Sequence, residues 1–379
     1  MSAQAAEYVR AVPRRALAPA DEPAEAAAVA DRLLSAALGA LDILAIALGD
    51  RLGYYRLLAH REALTPPALA AASGTAPRYA REWLEHQAVG GLLEVLDPSQ
   101  EPDARSYRLR PGVAEVLADP DGLTYLAPLA RQLAAAARQL PALAQASRTG
   151  RGVPWAAYGT DMRESQADLN RPAYLRLLAE DWLATLPGVQ QRLRTGPPAR
   201  VADVGCGAGW SCIGLARGYP MLHVDGYDLD MASVDLARRN VASAGLADRV
   251  HVYHLDITRV ADRGPYDLVT AFECLHDLPH PVAALAAMRG LAGQAGTVLI
   301  ADMKAADRFT APGGDLERLL YGFSLLICLP DSMTTSGSAA TGTVLRPAVM
   351  RDYATQAGYT RVDILPIDHD LWRFYHLHP

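Results

Sequence analysis

Two periods divide this chain. From about Ala26 to Gly150 apolar residues recur at helical spacing, and from Ala199 onward they gather into short strand-like runs separated by amphipathic stretches. The runs "ARVADVG", "LHVDGYD", "VHVYHLD", "YDLVTAF" and "TVLIADM" alternate with helix-like segments such as "ASVDLARRNVASAG" and "VAALAAMRGLA". That alternation predicts a parallel sheet with helices on both faces, an α/β Rossmann-like lobe whose ligands bind beyond the carboxyl ends of the strands. Final strands are expected near "VDILPI" and "LWRFYHL", after a helix around "DLERLLYGFSLLICL".

The first half reads as a separate, mostly helical lobe. "LTPPALAAASGTAPRYAREWLEHQAVGGLLEVL" followed by "SYRLRPG" has the layout of a winged helix-turn-helix: two helices around a Ser-Gly-Thr turn, then a two-stranded ribbon. "LARQLAAAARQLPALAQA" predicts a helix interrupted at Pro141. "RPAYLRLLAEDWLATLPGVQQRL" is a further amphipathic helix, closed by "RTGPPAR". The expected domains are a flexible tail over 1–25, a helical winged-helix and dimerisation domain over 26–150, a helical connector over 151–198 and the α/β domain over 199–379.

Composition narrows the partners. In 379 residues, 36 Lys and Arg stand against 42 Asp and Glu, so no global field attracts a polyanion. Between Thr65 and Ala118, five Arg face seven acids, which favours a packing lobe over a DNA reader, so no nucleic acid is expected. The four cysteines, Cys206, Cys212, Cys274 and Cys328, have no C-x-x-C spacing, and no export signal is visible, so a cytoplasmic protein with reduced thiols is expected. "LLSAALGALDILAIALG" contains Asp42 and falls short of the roughly 20 residues of a membrane span. With Leu34, Leu38, Leu41 and Leu48 on one face it predicts a buried helix at a homodimer interface.

Candidate chemistry begins at "VADVGCGAGWS". Gly205, Gly207 and Gly209 follow a strand, as they must where a ligand approaches the backbone closely. A dinucleotide fingerprint fails, because its last glycine would fall on Trp210 or Cys212. A phosphate loop fails too, because the Gly209 to Gly214 register continues with Leu215 and Ala216 instead of a lysine and a hydroxyl.

The surviving pattern, D-x-G-x-G-x-G from Asp203, resembles the first motif of class I S-adenosylmethionine-dependent methyltransferases. The resemblance implies that cofactor, with Asp228 on its ribose hydroxyls, Asp256 at the adenine amino group and Ile257 against the ring. Asp203 and Glu273 are then candidates for the methionine ammonium, and Leu229 and Phe272 complete the expected cofactor set. A sulfonium ligand without phosphate needs carboxylates and backbone groups, which this loop edge supplies.

"FECLHDLPHP" after the fourth strand resembles the "HDW" stretch of small-molecule O-methyltransferases that carry an N-terminal winged-helix dimerisation domain. His276 then falls on their catalytic histidine and Asp302 on an acid that orients it. A second acid of those relatives would fall near Val344, where this chain has none, and Leu278 replaces the Trp. "GVPWAAYGTDMRESQADLNRP" and "LLYGFSLLICLPDSM" resemble a bacterial, especially actinobacterial, group of these enzymes, so Trp155, Tyr158, Met162, Asn170, Tyr321 and Phe323 are expected to roof the acceptor pocket. The reading is a methyltransferase of specialised metabolism acting on a small molecule, oxygen first and carbon or nitrogen behind it, with no metal assigned. The alternatives are a cofactor-responsive DNA-binding regulator and a methyltransferase scaffold that runs other chemistry.

Overall fold

The structure is a computed structural model that describes residues 22–260 and 263–379. The expected tail over 1–25 therefore lies almost wholly outside the described residues. Helix α1 (Glu22–Arg51) runs straight through the expected 25/26 boundary. It is followed by α2 (Tyr54–Ala59), α3 (Pro66–Ser73), α4 (Pro77–Val89), the ribbon β1 (Leu93–Val95) and β2 (Tyr107–Leu109), and α5 (Pro111–Leu117).

The winged-helix layout follows from local chemistry. Thr65 caps α3 through its hydroxyl, Gly74 closes it at φ 68°, and Pro77 starts α4 where a missing N–H is harmless. The ribbon pairs Leu93 with Leu109 on its buried side. Tyr54 and Tyr55 meet Trp83 edge-on at centroid distances of 4.8 and 5.1 Å, an arrangement favoured by the ring quadrupoles.

Helix α1 corrects the expected length of the apolar stretch. Its C-terminal end is packed, with Trp83 Nε1 donating to Ala45 O and a Cβ on Gly49 falling 2.3 Å from the Trp83 ring. Its apolar face is not buried by its own chain: Leu34, Leu38 and Leu41 remain 62%, 56% and 58% exposed. At 28 residues, Ala24–Arg51 is also long and apolar enough to cross a bilayer, because the helix extends well beyond the stretch considered from sequence.

Helices α6 (Ala127–Ala137) and α7 (Leu140–Thr149) break before Pro141, which sits in the first turn of α7. Helix α8 (Trp155–Arg176) bends at Gly159, whose φ of 78° no helix accommodates. It joins the two lobes: Asp161 pairs with Arg51 at 2.7 Å on one side, and Arg163 with Asp230 at 2.6 Å on the other. Helix α9 (Pro187–Arg194) leads into the sheet.

The α/β lobe runs β3 (Arg200–Val204), α10 (Trp210–Gly218), β4 (His223–Asp228), α11 (Met231–Ser243), β5 (Val250–His254), β6 (Leu268–Phe272), α12 (Pro281–Ala292) and β7 (Thr297–Met303). Then come α13 (Asp315–Phe323), a π turn over Ser324–Cys328, α14 (Leu329–Ser332), α15 (Pro347–Gln356), β8 (Arg361–Ile364) and β9 (Trp372–His378). The sheet order is β5-β4-β3-β6-β7-β9-β8. The first five strands are parallel as expected, whereas β9 is antiparallel to both β7 and β8. Crossovers leave β3 in opposite directions, so a crevice opens at its carboxyl end, between β4 and β6.

Candidate active site

The glycine loop fills that crevice. Gly205, Gly207 and Gly209 all take positive φ, at 66°, 52° and 77°. A Cβ on Gly205 would stand 2.6 Å from Cys274 Sγ, whereas one on Gly207 would meet nothing within 4 Å and would project into ligand space. Gly209 lines neither of the two cavities described next; a Cβ there would stand 3.1 Å from Ala237 Cβ, so it lets the loop pack on α11.

Asp203 anchors the loop from below. It is 1% exposed and accepts from Ser211 Oγ at 2.5 Å, Thr270 Oγ1 at 2.6 Å and Cys212 Sγ at 3.3 Å. Both of its oxygens are therefore committed to protein donors, which differs from the expectation that it faces a ligand ammonium.

Two adjoining cavities meet at the loop. The larger, about 740 Å³, is lined by Gly205, Gly207, Asp228, Leu229, Asp256, Ile257 and Glu273 among others. The smaller, about 100 Å³, reaches Asp203, Phe272 and Arg163. Asp228 accepts the Gly207 N–H and the Asp230 N–H, both at 2.8 Å, so it ties the loop to the end of β4 with two lone-pair sites remaining. Asp256 uses one oxygen on Thr258 and keeps the other free among the described residues. Glu273 stands at φ 56°, accepts from Gln166 at 2.9 Å and from Asn170, and burial pushes its carboxyl up to about 7.

His276 and Asp302 meet across neighbouring strands. His276 is 2% exposed, and its Nδ1 donates to Asp302 Oδ1 at 2.8 Å. Asp302 is held in turn by the His276 and Met303 backbone N–H groups, at 3.2 and 2.7 Å. Because a carboxylate only accepts, Nδ1 carries a proton; Nε2 stands 3.4 Å from Asp277 Oδ1, in a side chain that lines the cavity. Burial pulls the imidazole pKa down, but Asp277 and Asp302 outweigh it and hold the group above its ordinary value.

Of the residues expected over the acceptor, Trp155, Met162, Asn170 and Phe323 line the larger cavity. Tyr158 does not: it is buried among α6–α8 and donates to Leu326 O at 2.7 Å. Nor does Tyr321, which is 42% exposed on the outer side of α13, against Phe309 and Arg346. Sequence reading passed over Arg163, Gln166, Asp277, Cys328, Asp331 and Thr343, all of which line one cavity or the other. Only Asp277, adjacent to His276, carried a visible signal; Cys328 ends the π turn after α13 and Asp331 lies in α14, and both line the cavity. The donor atoms of His276, Asp277 and Cys328 lie within 4.8 Å of one another, a group by type able to hold a metal ion.

Comparisons with known proteins agree with this architecture. Residues 201–296 match the family described as Methyltransferase domain, and residues 39–119 match the Rv2258c-like winged HTH domain. A tRNA1(Val) (adenine(37)-N6)-methyltransferase of Yersinia pestis is 36% identical over 75 residues, 19% of this chain; the chain thus spans about 30% of the length of the curated relatives it matches. Among solved structures, mitomycin 7-O-methyltransferase superposes with a TM-score of 0.67 at 20% identity, covering 94% of this chain and 99% of that one. Human N-acetylserotonin methyltransferase, in complex with S-adenosylmethionine, gives 0.65 at 17% identity over 92% and 98%. An O-methyltransferase family protein from Burkholderia thailandensis gives 0.64 at 20% identity over 92% and 97%.

Proposed function

The chain carries a methyltransferase domain behind a winged helix-turn-helix domain, and from that premise we propose an S-adenosylmethionine-dependent methyltransferase acting on a small molecule, with oxygen as the acceptor atom. The observation that carries the reading is the juxtaposition of an open glycine cradle with a buried His–Asp pair on one cavity. The residues fit the cofactor: Gly207 leaves open space where a side chain would stand, and Asp228, Asp256 and Glu273 offer free acceptor sites for hydroxyl, amine and ammonium groups. Leu229 and Ile257 flank the ring and Phe272 closes the methionine side, where Arg163, paired through Nε with Asp230, lines the small compartment. When bound, the cofactor supplies an electrophilic methyl group on a sulfonium.

The chain's own part is alignment, exclusion of water and movement of one proton. His276 Nε2 takes the acceptor hydroxyl proton, while Asp302 fixes the ring and stabilises the imidazolium. Trp155, Met162, Asn170 and Phe323 hold the acceptor.

A regulator that reads DNA is disfavoured because the arginines of α4 and the ribbon are engaged by carboxylates. Arg78 pairs with Glu82, Arg81 with Asp103, Arg105 with Glu85 and Arg108 with Glu94. The exposed apolar face of α1 supports a homodimer; a bilayer would have to take up Asp42 within the span.

Calorimetry with S-adenosylhomocysteine, NAD and ATP tests the cofactor, and mass spectrometry of phenolic, enolic and amine acceptors after incubation with labelled cofactor tests the transfer. Tighter binding of NAD than of S-adenosylhomocysteine would overturn the assignment.

A further inference from the structure

The acceptor end of the cavity has an unbalanced charge. Among the described residues, the large cavity is lined by six carboxylates and by no Lys or Arg. Asp228, Asp256 and Glu273 belong to the cofactor end, and Asp230 is neutralised by Arg163. Asp277 and Asp331 are left over. Neither has a Lys or Arg partner, and neither lines the small compartment around the glycine loop.

Their hydrogen bonding is also incomplete. Among the described residues Asp277 Oδ1 is buried without a hydrogen bond, 3.4 Å from His276 Nε2. Asp331 accepts the Trp155 N–H at 2.7 Å through Oδ1 and has no hydrogen bond on its second oxygen among the described residues. Thr343 lines the same cavity. It is 1% exposed, and its hydroxyl has no partner. Buried polar atoms without partners are costly, and a cavity that concentrates them is completed by a ligand that supplies the missing donors.

We propose that the acceptor-binding end of this cavity recognises a protonated amine, so that the substrate class is a hydroxylated, apolar-bodied molecule that carries a cationic nitrogen. An ammonium offers three donors and a positive charge, which matches two carboxylates and a hydroxyl acceptor. Leu126, Leu129, Met162, Phe323 and Ile327 supply the apolar surroundings for the body of the molecule. The inference rests on the methyltransferase reading only in placing the reacting hydroxyl near His276.

The test uses the full chain, saturated with S-adenosylhomocysteine at pH 8, where Asp331, pushed by burial to about 6, is ionised. Calorimetry compares three phenols that differ in one substituent: 4-(2-aminoethyl)phenol, 4-ethylphenol and 3-(4-hydroxyphenyl)propanoate. The amine is expected to bind about tenfold more tightly than the neutral phenol, and the propanoate about tenfold more weakly, the scale of one charge-assisted hydrogen bond. Asp277→Asn and Asp331→Asn should each cut the advantage of the amine to less than about threefold and leave the neutral phenol unchanged. Equal binding of all three, stronger binding of the propanoate, or binding of none overturns the proposal. The ranking on the unmodified protein decides it even where a variant does not fold. S-Adenosylhomocysteine affinity is read on the same samples: its loss with the amine preference intact overturns the cofactor reading alone, and its retention without that preference overturns this one alone.

Discussion

Asp302 Oδ1 lies 2.8 Å from His276 Nδ1, with both side chains inside the protein and His276 lining the cavity. The two residues are 26 positions apart in the chain, Asp302 within β7 and His276 in the loop that follows β6, so β6–β7 pairing brings the two segments together and the loop sets the contact. His276→Ala should lower turnover by about 100- to 10,000-fold while S-adenosylhomocysteine affinity stays within error, because a proton acceptor is lost and the cradle is untouched. Asp302→Asn should give a smaller loss, since it disturbs ring orientation and tautomer without removing the ring. Full turnover by His276→Ala on the native acceptor would falsify the base role.

The pH dependence follows from the raised imidazole pKa. Only neutral imidazole accepts a proton, so the rate should fall as pH drops through that pKa. With Asp277 and Asp302 on either side, the limb should lie above the ordinary histidine range. Asp277→Asn removes one of those charges, and the limb should move to lower pH. A rate profile that does not shift in this variant would mean that another group controls the limb.

Glu273 gives cofactor binding a pH dependence of the opposite origin. Burial holds its carboxyl near 7, so it gains its negative charge only above that pH. Affinity for the cationic cofactor should rise as pH increases from 6 to 8 (about a unit either side of that value), and Glu273→Gln should flatten the curve. Calorimetric titrations at several pH values measure it directly.

Asp228→Ala should weaken S-adenosylhomocysteine binding by about 1 to 3 kcal/mol. The structure adds a reason beyond contact with the ligand: the carboxylate also accepts the Gly207 N–H, so its loss releases the loop as well. Unchanged affinity would show that the wrong acid has been chosen.

The exposed leucines of α1 predict the assembly. Light scattering should find a dimer at micromolar concentration, and Leu34→Glu with Leu38→Glu should shift it to monomer without altering the α/β lobe. A wild-type monomer would leave the face, with both leucines more than half exposed, in need of another cover.

What the sequence determined by itself is what depends on local pattern and short spacing. The strand runs, the Thr65 cap and Pro77 start of the winged helix, the three glycines after β3, and the acids closing β4 and β5 are each set within a few residues of backbone, so the order of residues is enough to locate them. The pairing of His276 with Asp302 was visible only through resemblance, and strand order brings the two segments side by side. Tertiary structure alone decided the rest. Tyr158 and Tyr321 have the composition of pocket residues, yet Tyr158 is buried against Leu326 and Tyr321 is exposed beside Phe309. Asp203 has the look of a ligand-facing acid, but packing supplies it with Ser211, Thr270 and Cys212 as donors. The antiparallel entry of β9 between β7 and β8, the place of Cys328 and Asp331 on the cavity wall, and the open face of α1 depend on which distant surfaces meet. That information lies in side-chain volumes and burial summed over the whole fold, and no local stretch of sequence contains it.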